Sequence, residues 1–135
     1  MSGEENRRTI LLVEEDDETR PVLRANLQTH GYRVLLALDE EDAIDRVSGA
    51  GAAAADLVLV DLVGKAPEAA LAAGRRIREH AKNDGHTPLV AIAEKYGRDL
   101  EGTDLNVGGN DWITYPEDHD QLQNLLARLL GQPPS

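Results

Sequence analysis

The sequence predicts an α/β domain built around a parallel sheet with helices on both faces. Three observations carry that prediction. Five short apolar runs recur along the chain, Ile10-Leu11-Leu12-Val13, Val34-Leu35-Leu36, Leu57-Val58-Leu59-Val60, Leu89-Val90-Ala91-Ile92 and Trp112-Ile113. They are unbroken rather than alternating, which is what strands covered on both faces require. Between them lie segments with helical spacing and short connections, and strict alternation of strand and helix implies right-handed crossovers in a parallel sheet.

Taken in order, the first run ends abruptly in Glu14-Glu15-Asp16-Asp17, and Val22, Leu23 and Leu27 then share one helical face. Pro21 is compatible with a first helical turn, and Gly31 stands where a left-handed residue ends a helix. Ala43, Ile44 and Val47 mark a second helix; Ala70, Ala73, Ile77 and Ala81 mark a third. Leu122, Leu125, Leu126, Leu129 and Leu130 recur at i, i+3, i+4, i+7 and i+8, the clearest helix of the chain. The interval from Tyr96 to Gly109 carries Gly97, Gly102, Gly108 and Gly109. Each costs about 1 kcal/mol relative to Ala in a helix, so a short or loose fourth helix is expected there. Residues 1–8 read as a flexible N-terminus, 9–131 as one domain and 132–135 as a flexible tail.

Composition narrows the function classes. The 135 residues suit one domain, with a core that must be aliphatic because there is no Phe, one Trp and three Tyr. Acidic residues outnumber basic ones 25 to 14, for a formal net charge of −11, and no Lys/Arg cluster offsets it. Such a surface repels nucleic acid and anionic lipid. With no cysteine, thiol catalysis and Cys-ligated metal are excluded. No apolar run reaches the ~20 residues of a membrane span and the acidic start is no signal peptide, so a cytoplasmic location is expected.

Folds of this kind bind ligands at the carboxyl ends of their strands. Glu14 and Glu15 follow the first strand and Asp61 follows the third, so their carboxylates are expected to converge. Hard oxygen ligands of this sort suit Mg²⁺, and a carboxylate beside Mg²⁺ is a potential nucleophile toward a phosphoryl group. Asp16 and Asp17 are accounted for by the start of the first helix, where acids complement its dipole. His30, His80, His86 and His119 are too scattered to suggest a metal or phosphohistidine site.

The segments ILLVEEDDETR, DLVLVDL, TPLVAIAEK and GGNDWITYP resemble, in order and spacing, four stretches of bacterial response-regulator receiver domains. The resemblance runs from about Thr9 to Leu130. It implies a (βα)₅ flavodoxin-like doubly wound sheet of five parallel strands in the order 2-1-3-4-5, a three-layer α/β/α architecture. It also implies transfer of a phosphoryl group from a histidine kinase to an Asp after the third strand, assisted by Mg²⁺. By position, Asp61 matches the phospho-acceptor and Glu14 and Glu15 the acidic pair. Val63 matches the residue whose backbone carbonyl completes the metal site.

Three positions depart from the pattern. Glu15 stands where the family has Asp, adding a methylene to a direct ligand. Ala93 replaces the Ser/Thr that hydrogen-bonds the phosphoryl oxygen, and Tyr115, before Pro116, replaces the Lys that pairs with it. A methyl donates no hydrogen bond and a neutral phenol brings no charge, so two strong anion contacts are lost. The loop after Asp61 carries Gly64-Lys65, with Pro67 further on, and reads a residue longer than usual. Trp112 matches the switch aromatic; its alternative is a residue that only covers the surface between the fifth strand and the fourth helix. Lys65 and Lys95 lie near the edge and read as solvated loop lysines.

Two functions follow from the resemblance. The first is an atypical, pseudo-receiver protein-interaction module, not an enzyme, with lost or reduced phosphorylation and weak or absent Mg²⁺ binding. The alternative is a working phospho-receiver accepting phosphoryl on Asp61. A histidine kinase or downstream signalling protein is the expected partner, through the face of the fourth helix, fifth strand and fifth helix. Homodimerisation through the same face is an option, and nucleic acid and membrane are not expected partners. An unrelated Mg²⁺-dependent phosphotransfer enzyme is disfavoured, because no phosphate-cradling Gly-rich loop follows strand 1 or 3.

Overall fold

The computed structural model describes residues 7–48, 54–62, 64–81, 86–94 and 96–131. Among them are β1 (Thr9–Glu14), α1 (Thr19–Thr29), β2 (Arg33–Ala37), α2 (Glu40–Val47), β3 (Leu57–Asp61), α3 (Pro67–His80) and β4 (Leu89–Ile92). They continue with β5 (Thr103–Gly108), β6 (Asp111–Tyr115) and α4 (His119–Leu130). The strands form one sheet in the order β2-β1-β3-β4-β6-β5. All neighbours are parallel except the β5–β6 pair.

The apolar runs behave as two-sided strands. Leu11, Val13, Val58, Val60 and Ala91 pack with Ala43 and Val47 of α2 and with Leu71 and Ile77 of α3. The alternate residues Ile10, Leu12, Leu57, Leu59 and Val90 pack on the other face with Leu27 of α1 and with Leu122, Leu125 and Leu126 of α4. The three layers thus follow from period-2 side chains in the strands and an apolar stripe on each helix. Helix ends are placed by local chemistry. The Asp39 carboxylate accepts from the Asp42 N–H and the Asp118 carboxylate from the Gln121 N–H, each satisfying an orphan donor of a first turn. Pro67 opens α3 and Gly131, at φ 66°, closes α4.

The fold class agrees with expectation, but the fourth crossover does not. Among the described residues, no helix forms between β4 and the last parallel strand. Thr103–Gly108 is instead an edge strand antiparallel to β6, making six strands rather than five and extending the order 2-1-3-4-5 by one. The cause is local. Thr103, Leu105 and Val107 alternate with Asp104 and Asn106, and a turn follows in which Gly108 and Gly109 take φ of 127° and 53°. Positive φ is cheap for Gly and strained for other residues, so this pair turns the chain where a helix would be penalised. Asp104 fastens the hairpin to α4, accepting from the Thr114 hydroxyl at 2.7 Å and from the Gln121 amide at 2.9 Å.

One close contact gives a prediction. Gly74, buried in α3, lies against Leu89 so closely that a Cβ would overlap the isobutyl group. Leu89 is fully buried. Gly74→Ala should therefore destabilise the domain by about 1–2 kcal/mol, overpacking outweighing the gain in helix propensity. A chemical denaturation midpoint unchanged from wild type would contradict this.

Candidate functional site at the carboxyl edge of the sheet

Glu14 ends β1 and Asp61 ends β3, and the parallel register sets them directly opposite each other. Glu14 is fully buried and Asp61 is 8% exposed. Burial pushes both carboxyl groups up. For Asp61, burial, the hydrogen bond with Glu14 and the charge of Glu14 raise its pKa to about 7, against a smaller opposing effect of Glu94. Two adjacent carboxylates in a low-dielectric site cannot both ionise at ordinary pH without compensation. Glu14 Oε2 accepts from the Asp16 N–H at 3.3 Å. Glu14 Oε1 and Asp61 Oδ1, both buried, have no hydrogen-bond partner among the described residues.

The loop beneath this pair is held by Arg20. Its Nε donates to the Glu14 carbonyl at 2.8 Å, its Nη2 to the Glu15 carbonyl at 3.0 Å, and its Nη1 to the Asp17 carboxylate at 2.8 Å. Asp16 accepts from both the N–H and the hydroxyl of Thr19, which lowers its pKa and starts α1. Asp16 thus engages Thr19 at the start of α1, and Asp17 engages the Arg20 guanidinium.

Of the expected acidic pair, the structure brings Glu14 to Asp61; Glu15 is half-buried and supplies its backbone carbonyl to Arg20. The residues acting most on Asp61 are Glu14, Glu94 and Asp16. Glu94, on the loop after β4, was not anticipated. Glu14 and Asp61 are the terminal residues of their strands, whereas Glu94 lies two residues beyond the end of β4 and is not marked by that pattern.

Facing buried oxygens without donors are what a divalent cation satisfies, so Glu14 and Asp61 suit Mg²⁺ as two carboxylate ligands. Among the described residues, no three His, Asp or Glu side chains are grouped to hold a metal. Val63, whose carbonyl the resemblance assigns to the metal, lies outside the described residues, as does Lys95. Lys65 is exposed, as expected of a loop lysine.

Ala93 and Tyr115 flank the pair on the β4 and β6 side, 2% and 7% exposed, and both join the apolar cluster that includes Leu62. The Tyr96 ring meets Tyr115 edge-on at 5.5 Å, and the Tyr96 hydroxyl donates to the Pro116 carbonyl. Trp112 lies on the other face, half-buried against the α1/α4 cluster, with the Arg128 guanidinium 5.7 Å from its ring centroid. Among the described residues the segment expected as a fourth helix holds β5 instead, and Trp112 covers the sheet beside α4. The anticipated partner face loses its helix for the same reason.

No protein-family model matches the chain. Over 120 residues, 89% of the chain, it is 29% identical to the uncharacterized transcriptional regulatory protein YkoG of Bacillus subtilis. The same identity and coverage hold for the transcriptional regulatory protein DltR of Streptococcus agalactiae. The chain spans about half the length of these relatives, 48% and 49%. Among solved structures it resembles the receiver domain of the sensor histidine kinase PA1611 of Pseudomonas aeruginosa, which has magnesium coordinated in its active-site cleft. The TM-score is 0.64 at 28% identity, covering 93% of this chain and 99% of the other. The receiver domain of the hybrid histidine kinase CckA gives 0.59 at 25% identity, covering 90% and 98%. The fold is that of a response-regulator receiver domain. No helix among the described residues is long and apolar enough to cross a membrane.

Proposed function

We propose that this chain is an atypical receiver domain that works mainly by binding a signalling protein, with phosphorylation of Asp61 lost or much reduced, and that it is not an enzyme. One observation carries the reading. At the two positions where a receiver offers a hydroxyl and an ammonium to the phosphoryl group, this chain has Ala93 and Tyr115, both buried in the apolar core. Neither position can neutralise a phosphoryl anion, and such charge-assisted contacts are among the strongest a site offers. Burial also leaves Asp61 substantially protonated near neutral pH, and only the carboxylate is a nucleophile. The partner would be a histidine kinase or a downstream signalling protein, as for other receivers, with cytoplasmic placement.

A working phospho-receiver is the second reading, favoured by the unpartnered oxygens of Glu14 and Asp61, which a Mg²⁺ ion would satisfy. Incubation with acetyl phosphate and Mg²⁺ separates the two. In a competent site an Asp61 oxygen attacks phosphorus and acetate leaves, giving an acyl phosphate visible by mass spectrometry. We expect labelling well below stoichiometric in the wild type, rising severalfold in the Ala93→Thr/Tyr115→Lys double variant. Stoichiometric labelling of the wild type that disappears in Asp61→Asn would overturn the atypical reading.

A further inference from the structure

The sheet ends on one side in an edge that the described residues leave open. β5 is its last strand, and among those residues only β6 pairs with it. The other edge strand, β2, packs against both α1 and α2, whereas the last four residues of β5 are exposed. An unpaired edge presents a row of backbone N–H and C=O groups, a template for one more extended strand. The side chains that blunt such edges are missing: β5 holds no Lys, Arg or Pro, and Leu105 and Val107 stand exposed along it.

What this edge fits is set by its own sequence. Asp104 is the one charged residue of β5, and its carboxylate is occupied on the α4 side by the Thr114 hydroxyl, the Gln121 amide and Arg128 at 3.6 Å. The strand therefore carries no uncompensated charge, in a chain whose net charge is −11. A second β5 running antiparallel and centred on Leu105 sets Leu105 opposite itself, Thr103 opposite Val107 and Asp104 opposite Asn106. Just beyond, Glu101 comes opposite Gly109, so no like charges face each other across the junction. Centring on Asp104 would oppose two carboxylates. The register shift between Asn106 and Gly108 bends the end of the strand, so centring on Asn106 would carry the pairing into that bend. Leu105 is the centre that avoids both, with Thr103–Val107 as the paired stretch.

We propose that two copies of this chain associate by pairing their β5 edges about a twofold axis, joining two six-stranded sheets into one. The assembly stops at two: the contact is isologous and uses up the β5 edge of each copy, and the outer β2 edges lie against helices. This surface differs from the helix-bounded face expected from the sequence, and it exists because the fourth interval forms a hairpin. The proposal goes beyond the reading of Asp61 and holds whether or not that residue accepts a phosphoryl group. Five paired residues make a contact smaller than the roughly 800 Å² per partner of a standard interface, so the dimer is a weak one. Like net charge on the two copies opposes their approach, and salt screens it.

Sedimentation equilibrium from about 10 µM to about 1 mM protein should show monomer and dimer, with a dissociation constant on the order of 100 µM. That constant should fall severalfold between about 20 and about 300 mM NaCl. Leu105→Lys sets two ammonium groups opposite each other and should weaken association at least about tenfold. The thermal midpoint of the dilute monomer should not change, because the side chain is exposed. The chain has no cysteine, so Leu105→Cys introduces a single thiol opposite its own copy. Directly opposed Cβ atoms lie about 4.5–5.5 Å apart, near disulfide reach. Mild oxidation should link Leu105→Cys into a dimer about tenfold faster than Val22→Cys, a more exposed control on α1. A monomer throughout the concentration range, equal linking of the two cysteine variants, undiminished association of Leu105→Lys, or a dimer that dissociates as salt is added would each overturn the proposal. The acetyl phosphate experiment reads a different property, so failure of one proposal is distinguishable from failure of the other.

Discussion

Replacing Asp61 by Asn is expected to raise the thermal midpoint by about 10 °C at pH 8 and to change it little at pH 4. The sign follows from the direction of its shift. Burial and Glu14 move the Asp61 carboxyl from its ordinary 3.8 to about 7 in the folded chain. Between those values the folded state binds more protons than the unfolded state, so stability falls as pH rises from about 4 to about 7 and is flat beyond. That difference corresponds to at most about 4 kcal/mol of penalty above pH 7. Asn carries no charge, and its amide can donate to the unpartnered Glu14 Oε1 across the register. Millimolar Mg²⁺ should narrow the gap by binding the ionised wild-type pair and stabilising it by mass action. Midpoints measured across pH 4–9 check this, and a wild-type midpoint at pH 8 equal to or above that of Asp61→Asn would contradict it.

That effect was half legible in the sequence. An apolar central strand running directly into one carboxylate singled out Asp61, and the same logic marked the acids after β1. Which of those two faces Asp61 depends on register and strand twist: Glu14 is paired with Asp61 in the ladder, while Glu15 has already left it for the loop held by Arg20. Glu94 acts on Asp61 from the far side of the edge, through a tertiary contact that no local pattern announces. Ala93 and Tyr115 were identified as departures, but only packing shows them inside the apolar cluster with Tyr96 against the ring.

The fold was more fully legible, with one instructive exception. Unbroken apolar strands and amphipathic helices require nothing beyond period and length, and those elements form where the patterns stand. In the fourth interval the glycines were weighed only as a cost to a helix. The positive evidence was a period of two, Thr103, Leu105 and Val107 against Asp104 and Asn106, followed by Gly108-Gly109 and a second strand-like run: the arrangement of a hairpin. The resulting strand lies at the sheet edge, with Leu105 and Val107 44% and 36% exposed. Its weak hydrophobicity is a consequence of that position and is why it read as a short or loose helix.

The hairpin also needs an anchor on the side where a fourth helix would have packed, and Asp111 supplies it. At the start of β6 it pairs with Leu89 of β4 and Gly108 of β5, and its carboxylate accepts from Arg78 at 2.6 Å and from Arg75 at 2.8 Å, both of α3. Burial alone would raise this carboxyl, but the two guanidinium groups outweigh it and hold its pKa below the ordinary value. Its contribution is therefore present above about pH 4 and is lost as the pH falls through the depressed value, the reverse of Asp61. Asp111→Asn should cost about 3 kcal/mol at pH 7, because the Arg78 side chain, only 12% exposed, is left without its counter-charge. It retains its hydrogen bond to the Thr87 carbonyl, which keeps the cost at the lower end of that range. Arg75, whose side chain is 48% exposed, is screened by water, and Arg75→Ala should cost under about 1 kcal/mol. Urea denaturation of the two variants from pH 7 down through the acid range checks the ordering and the sign. Equal costs for the two, or an Asp111→Asn penalty that persists undiminished once the carboxylate is protonated, would show that the hairpin is held by packing rather than by this ion pair.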